Sequence, residues 1–247
     1  HTVTSQAILD EAATYEAGSM NLVKQFGAAL DSFRYDYNEL FYVNFDLLNF
    51  TVTKTVQTPD PGEGEEETQA DDAETGNAQY AVTIGAGRAT SYFLYDLTAE
   101  ELNGKDGADG LFANYTAAKA TFKQAVDTAL GGGTSVKEKA IAVNKVISEK
   151  FRYGFDFNSD GNVNGVDRFV ATTASIVPSS ATAKCHANGE GLARVYKMLM
   201  NELGVSCELV SGYYVSGGSV GTGMWNYVKD GSDYYAVDVT NNLSTDN

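Results

Sequence analysis

One stretch, Gly189 to Asn242, limits the fold more than any other. It reads GEGLARVYKMLMNELGVSCELVSGYY, a short glycine-rich gap, then GMWNYVKDGSDYYAVDVTNN. Leu192, Val195, Tyr196 and Leu199 recur at helical spacing, with Leu203 one turn on, so the first part reads as a helix with an apolar face. Gly204 stands where such a helix should end. Cys207 to Val215 reads as a strand, with Gly212 marking a bend or close packing. Gly217 to Gly223 reads as a turn-rich connection. Met224 to Val228 and Tyr234 to Val239 read as two further strands, joined by the hairpin signal KDGSD. A helix followed by three such strands buries its stripe against an antiparallel sheet, and the expected fold class is α+β.

The preceding chain supplies more helices and a hairpin. Ser5 to Ser32 carries apolar residues at helical spacing, among them Ile8, Leu9, Ala12, Tyr15, Leu22, Val23 and Phe26. Leu40 to Val43 and Leu48 to Val56 read as strands, and Tyr80 to Leu97 as a returning strand. Between them residues 58–79 hold two of the three prolines and an acidic run from Glu63, a solvated insertion at a hairpin tip. Tyr115 to Ala129 and Ser135 to Phe151 read as helices. Ser135, with Glu138 three residues on, has the form of a capping box. The chain is accordingly divided into an N-terminal helix and β-hairpin region, 1–110, and an α+β domain, 111–247.

Charge narrows the partners. Thirty-three acidic residues against seventeen basic ones leave a formal charge of -16, which repels a polyanion such as nucleic acid over most orientations. Calcium and cationic partners are easier to accommodate. No stretch approaches the roughly 18 apolar residues of a membrane span. No signal peptide is visible, and His1 in first place suggests a chain processed or trimmed from a longer one. The tyrosine-, threonine-, asparagine- and glycine-rich composition suits a secreted or cell-surface protein.

Asp156 to Asp167 reads DFNSDGNVNGVD. A calcium loop needs oxygen ligands at its first, third, fifth, seventh, ninth and twelfth positions and glycine at its sixth. Those positions hold Asp156, Asn158, Asp160, the Asn162 carbonyl, Asn164 and Asp167, with Gly161 at the sixth. The loop resembles the EF-hand or dockerin type. Because only one such loop is present, a whole dockerin module is not expected. The alternative is a polar surface loop. As a calcium site its role would be structural.

The C-terminal stretch resembles the transglutaminase-like fold, the papain-related group with a Cys-His-Asp triad, in its secreted bacterial form. The resemblance rests on Gly204-Val205 after the helix, Ser211-Gly212-Tyr213 in the next strand, Trp225-Asn226, and Val237-Asp238-Val239-Thr240. Glu39 and Phe41 fit loosely the segment that precedes the domain in such proteins, and the helix ending in KFRYGF fits their entry helix. In that family the nucleophilic cysteine opens the helix and the histidine stands two residues before the tryptophan. Here those positions are Gly189 and Gly223, and of the triad only Asp238 remains. The resemblance therefore implies a degenerate triad and a non-catalytic binding or structural module.

Two alternatives stand beside it. One is a cysteine peptidase or transglutaminase with a relocated nucleophile, Cys185, working with His186 and Asp238. The other is a carbohydrate- or peptide-binding module whose groove is lined by Trp225, Asn226, Tyr213 and Tyr214. The two cysteines, Cys185 and Cys207, flank the same helix and are either bridged or separate thiols.

Overall fold

The computed structural model describes residues 28–29, 32–43, 48–56, 78–86, 97–105, 110–154 and 169–243. The helix expected over Ser5 to Ser32 lies almost wholly outside them, as do the acidic insertion and the calcium loop. The chain forms two compact units, one made of His1–Ser32 and Asn44–Tyr92, the other of Phe33–Val43 and Phe93–Asn247. The first contains an antiparallel pair, β1 (Leu48–Val56) and β2 (Ala78–Ala86), in register from Leu48 opposite Ala86 to Val56 opposite Ala78.

The second unit is an α+β structure. Among the described residues its helices include α1 (Ala99–Asn103), α2 (Leu111–Leu130), α3 (Val136–Lys150), α4 (Gly189–Glu202) and the short α5 (Val239–Leu243). Its strands form a parallel pair, β3 (Phe151–Tyr153) with β4 (Cys185–Ala187), and a three-stranded antiparallel sheet, β5 (Cys207–Ser216), β6 (Ser219–Asp230) and β7 (Asp233–Val237), with β6 in the middle. No described helix is long and apolar enough to cross a membrane.

Helix α4 is the centre of the core. Leu192, Val195, Tyr196, Leu199 and Met200 are at most 1% exposed, and burying each such side chain contributes roughly 1.5–3 kcal/mol. Its first turn is capped by Asn188, whose side-chain oxygen accepts the Gly191 N–H at 2.9 Å. Its last turn closes as a Schellman motif. Gly204 N–H donates to Asn201 O at 2.9 Å and Val205 N–H to Met200 O at 3.0 Å. The motif needs a left-handed residue, which Gly204 supplies at φ 70°. One side of α4 carries the sheet through Asn226, fully buried, whose Nδ2 donates to Ala193 O at 3.0 Å. Other surfaces pack against α2, α3 and the 3-10 turn Thr173–Ile176.

The capping box of α3 has the expected form. Glu138 N–H donates to Ser135 Oγ at 3.2 Å, and Glu138 Oε2 accepts from Ser135 N at 3.0 Å, Ser135 Oγ at 2.7 Å and Thr134 N at 3.1 Å. These bonds hold the Glu138 carboxyl below the ordinary glutamate range. A depressed carboxyl stabilises the fold fully above its unfolded pKa, and loses that contribution as the pH falls through the folded value. Ser135→Ala is expected to cost about 1 kcal/mol at neutral pH, read from denaturant midpoints, and the difference from wild type should shrink in acid. An equal difference at every pH would contradict the role given to Glu138.

Three local expectations change in the structure. Leu40 to Val43 is a turn rather than a strand, with Leu40 N–H donating to Tyr37 O at 2.9 Å and Val43 N–H to Leu40 O at 3.1 Å. Phe41 leaves that turn for the core, 4.7 Å from the Tyr115 ring, while Tyr42 packs edge-on against Phe112. The glycine-rich connection shrinks to two residues, Gly217 and Gly218, both at positive φ, as a two-residue hairpin turn requires. Strand β6 therefore starts at Ser219, and Gly223 lies inside a strand. The last strand ends at Val237, because Asp238 caps the turn of helix that follows.

Candidate functional site

Five parts of the chain enclose a cleft of about 680 Å³. The N-terminus of α4 contributes Asn188, Gly189 and Glu190. Strands β5 and β6 contribute Ser211, Tyr214, Val215, Thr222, Gly223, Met224 and Trp225. The β7–α5 junction contributes Asp238, Thr240 and Asn241, and Tyr153 comes from β3. Tyr153 arrives there because β3 pairs in parallel with β4, Tyr153 opposite Ala187, two residues before Gly189. Gly189, Gly223 and Asp238, far apart in sequence, thus share one cleft.

At Gly189 the cleft wall is open. A Cβ placed there would meet only the Thr240 hydroxyl, at 3.3 Å. At Gly223 the space is taken by a neighbour. Tyr214 lies opposite Gly221 in the β5–β6 register, so its ring crosses both glycines of the Gly221-Thr222-Gly223 segment. A Cβ on Gly221 would stand 2.6 Å from the ring, and one on Gly223 3.2 Å from Tyr214 Cδ1 and 4.0 Å from Trp225 Cε3. Trp225 lies in turn across Gly212, whose Cβ would fall 2.6 Å from the indole edge. Glycine on one strand makes room for an aromatic ring from the other, a cross-strand pairing that stabilises the sheet.

Asp238 is exposed, and its carboxylate is fixed by three donors. Oδ1 accepts from Thr240 N at 3.0 Å and Asn241 N at 3.3 Å, and Oδ2 from Asn241 Nδ2 at 2.8 Å. Among the described residues it has no ion-pair partner. Glu190, the other carboxylate of the cleft, is held by Arg194 Nη2 at 2.7 Å and Arg34 Nη2 at 3.5 Å.

The remaining residues singled out from sequence stand elsewhere. Cys185 is buried in β4, its thiol donating to Ile176 O at 3.3 Å, and neither it nor His186 lines the cleft. Cys185 and Cys207 are both thiols, with no disulfide between them. Burial pushes the Cys207 thiol up to about 12. Of the expected groove residues, Trp225 and Tyr214 line the cleft, whereas Asn226 is buried under α4 and Tyr213, 78% exposed, points to the other face of its strand. The calcium-loop residues Asp156, Asn158, Asp160, Asn162, Asn164 and Asp167 lie outside the described residues. Among those described, no three histidine, cysteine or acidic side chains gather as a metal site. Sequence reasoning missed Thr240, Asn241 and Glu190 as cleft residues. Thr240 carried a signal, as part of the Val-Asp-x-Thr motif, but its hydroxyl meets Gly189 only through the fold.

No protein-family model matches the chain, and no curated protein matches it. A solved structure described as "Crystal structure of a TGase" is similar at 15% identity and a TM-score of 0.37, over 51% of this chain. The match spans 32% of that structure's length.

Proposed function

We propose that this chain is a non-catalytic, transglutaminase-like binding module, secreted or displayed at the cell surface, whose ligand site is the cleft around Gly189, Gly223 and Asp238. The observation that carries the reading is the pair of glycines at the two positions where a thiol and an imidazole would stand, one of them already overlain by Tyr214. Acyl transfer needs an activated nucleophile and a base within hydrogen-bond reach of it, and glycine supplies neither. The motif residues around the cleft support the family reading, since Trp225 and Asp238 stand beside the two glycines.

The test is an amide-hydrolysis and amine-incorporation assay of the whole protein, with binding followed in parallel by the emission of Trp225, the only tryptophan. No turnover with saturable changes in emission is expected. Turnover abolished by Asp238→Ala would sink the reading. The relocated-nucleophile alternative has its own measurement. With Cys185 4% and Cys207 2% exposed, neither thiol should react with a disulfide reagent in the native state, and both should react in denaturant. Rapid native labelling of Cys185 would favour the enzyme.

The proposal includes a structural calcium ion in the loop Asp156 to Asp167, supported by the ligand spacing. An ion that binds only the folded state adds about 2.7 kcal/mol at roughly one hundred times its dissociation constant. Asp156→Ala and Asp167→Ala should lower Tm in calcium and much less in chelator. Equal losses in both buffers, or no heat on titrating metal-stripped protein with millimolar calcium, would leave a plain polar loop.

A further inference from the structure

The groups around Gly223 suit one kind of ligand. Tyr214, 53% exposed, and the half-buried Trp225 flank Gly223 from two sides, so the missing side chain leaves an aromatic floor open to the cleft. Among the described residues, two carboxylates and no lysine, arginine or histidine line the same cavity. Glu190 is already neutralised by Arg194 and Arg34. Asp238 has no cation among the described residues, yet three N–H donors fix its orientation. A carboxylate offers about four acceptor sites, so one remains for a donor from outside.

We propose that the cleft binds an arginine side chain of an extended peptide, its guanidinium stacked on the Tyr214–Trp225 floor and donating to Asp238. This rests on the reading of the chain as a binding module. A planar, weakly hydrated guanidinium gains from both parts of the site at once, through its face on the rings and its edge on the carboxylate. An ammonium is more strongly hydrated and lacks the flat face. An uncharged sugar gains the rings but leaves the Asp238 charge uncompensated. The volume, about 680 Å³, lies within the range that takes a drug-sized ligand, and Val215 and Thr222 carry the cleft along the β5–β6 hairpin, where flanking peptide residues would lie. The chain's charge of -16 draws a cationic segment in from solution.

The experiment titrates the full chain with acetyl-Gly-Arg-Gly-amide and with the same peptide carrying lysine or citrulline, the uncharged isostere. A neutral oligosaccharide is a fourth probe. Trp225 emission is read alongside calorimetry, so that a silent fluorophore is not mistaken for no binding. The arginine peptide should bind saturably, the lysine peptide more weakly and the citrulline peptide about tenfold more weakly. Asp238→Asn should weaken arginine about tenfold and leave citrulline unchanged, and Tyr214→Ala should weaken both arginine and lysine, with melting curves verifying that each variant folds. Equal affinity for arginine and citrulline, equal affinity for arginine and lysine, an unchanged Asp238→Asn variant, or no binding of any peptide at millimolar concentration would overturn the proposal. Binding of the oligosaccharide alone would overturn it while leaving the binding-module reading in place. Amide turnover would remove that reading whatever arginine does.

Discussion

Replacing Gly191 with alanine should lower stability by about 1–3 kcal/mol, although alanine is favoured over glycine inside a helix by about 1 kcal/mol. A Cβ on Gly191 would overlap the Val170 carbonyl oxygen and approach its carbonyl carbon to 2.9 Å. Those are backbone atoms and cannot swing aside. Val170 O also accepts the Asn188 N–H at 3.0 Å, and Asn188 caps α4 by accepting the Gly191 N–H. Relief of the overlap therefore pulls Val170 from the helix start and weakens the cap. Overpacking of this kind typically costs about 1–3 kcal/mol and a lost hydrogen bond about 1, which together outweigh the propensity gain. For a chain of this size the loss appears as a fall in Tm of about 2–12 °C. Gly189→Ala is the control, two residues earlier on the same turn. Its Cβ meets only the Thr240 hydroxyl at 3.3 Å, so it should be near neutral. A Gly191→Ala protein as stable as wild type would refute the close approach of Val170 to α4.

The second large effect is expected at Arg194, 4% exposed. Its Nε and Nη2 donate to Glu190 Oε1 at 3.0 and 2.7 Å, and Nη1 donates to Arg34 O and Asn38 Oδ1, both at 3.2 Å. The guanidinium also lies 5.3 Å from the Tyr35 ring centroid. One side chain thus ties segment Phe33–Val43 to the central helix. Arg194→Ala strands the buried Asn38 oxygen and loses the packing of the stem. Breaking a buried ion pair costs about 3–5 kcal/mol. Glu190 keeps 29% of its side chain in solvent and retains Arg34, so the lower end, about 3 kcal/mol, is expected. Denaturant midpoints measure the loss, and hydrogen exchange should show residues 33–43 losing protection before α4. Uniform loss of protection across the second unit would argue against the tie.

Both residues show where local reading stops. In sequence Gly191 and Arg194 are two residues of the expected helix and no more. Neither Val170 nor Asn38 is within a helical turn of them, so no periodicity connects the pairs. The same holds for Cys185. Its neighbours in sequence, Ser, Ala, Thr and Lys, carry no strand period, and only pairing with Phe151 in β3 makes it a buried strand residue. By sequence Gly223 falls at the end of a turn-rich connection, with Gly217, Gly218 and Gly221 before it. It lies in a strand because Tyr214 on the facing strand covers the glycines.

The sequence by itself determined the central helix with its stop, the antiparallel strands that follow, and the capping box of α3. Each depends on interactions within a few residues, on hydrophobic period, on side chains that bond their own backbone, and on a glycine that takes a left-handed turn. Only the tertiary structure decided that Gly189, Gly223 and Asp238 face one cleft, that the Tyr214 ring covers Gly223, that Asn226 serves the core and not the groove, and that Glu190 is paired with Arg194 and Arg34 while Asp238 has no ion-pair partner among the described residues. Those outcomes rest on strand register and on contacts between distant parts of the chain, whose energies are settled only when the whole core packs.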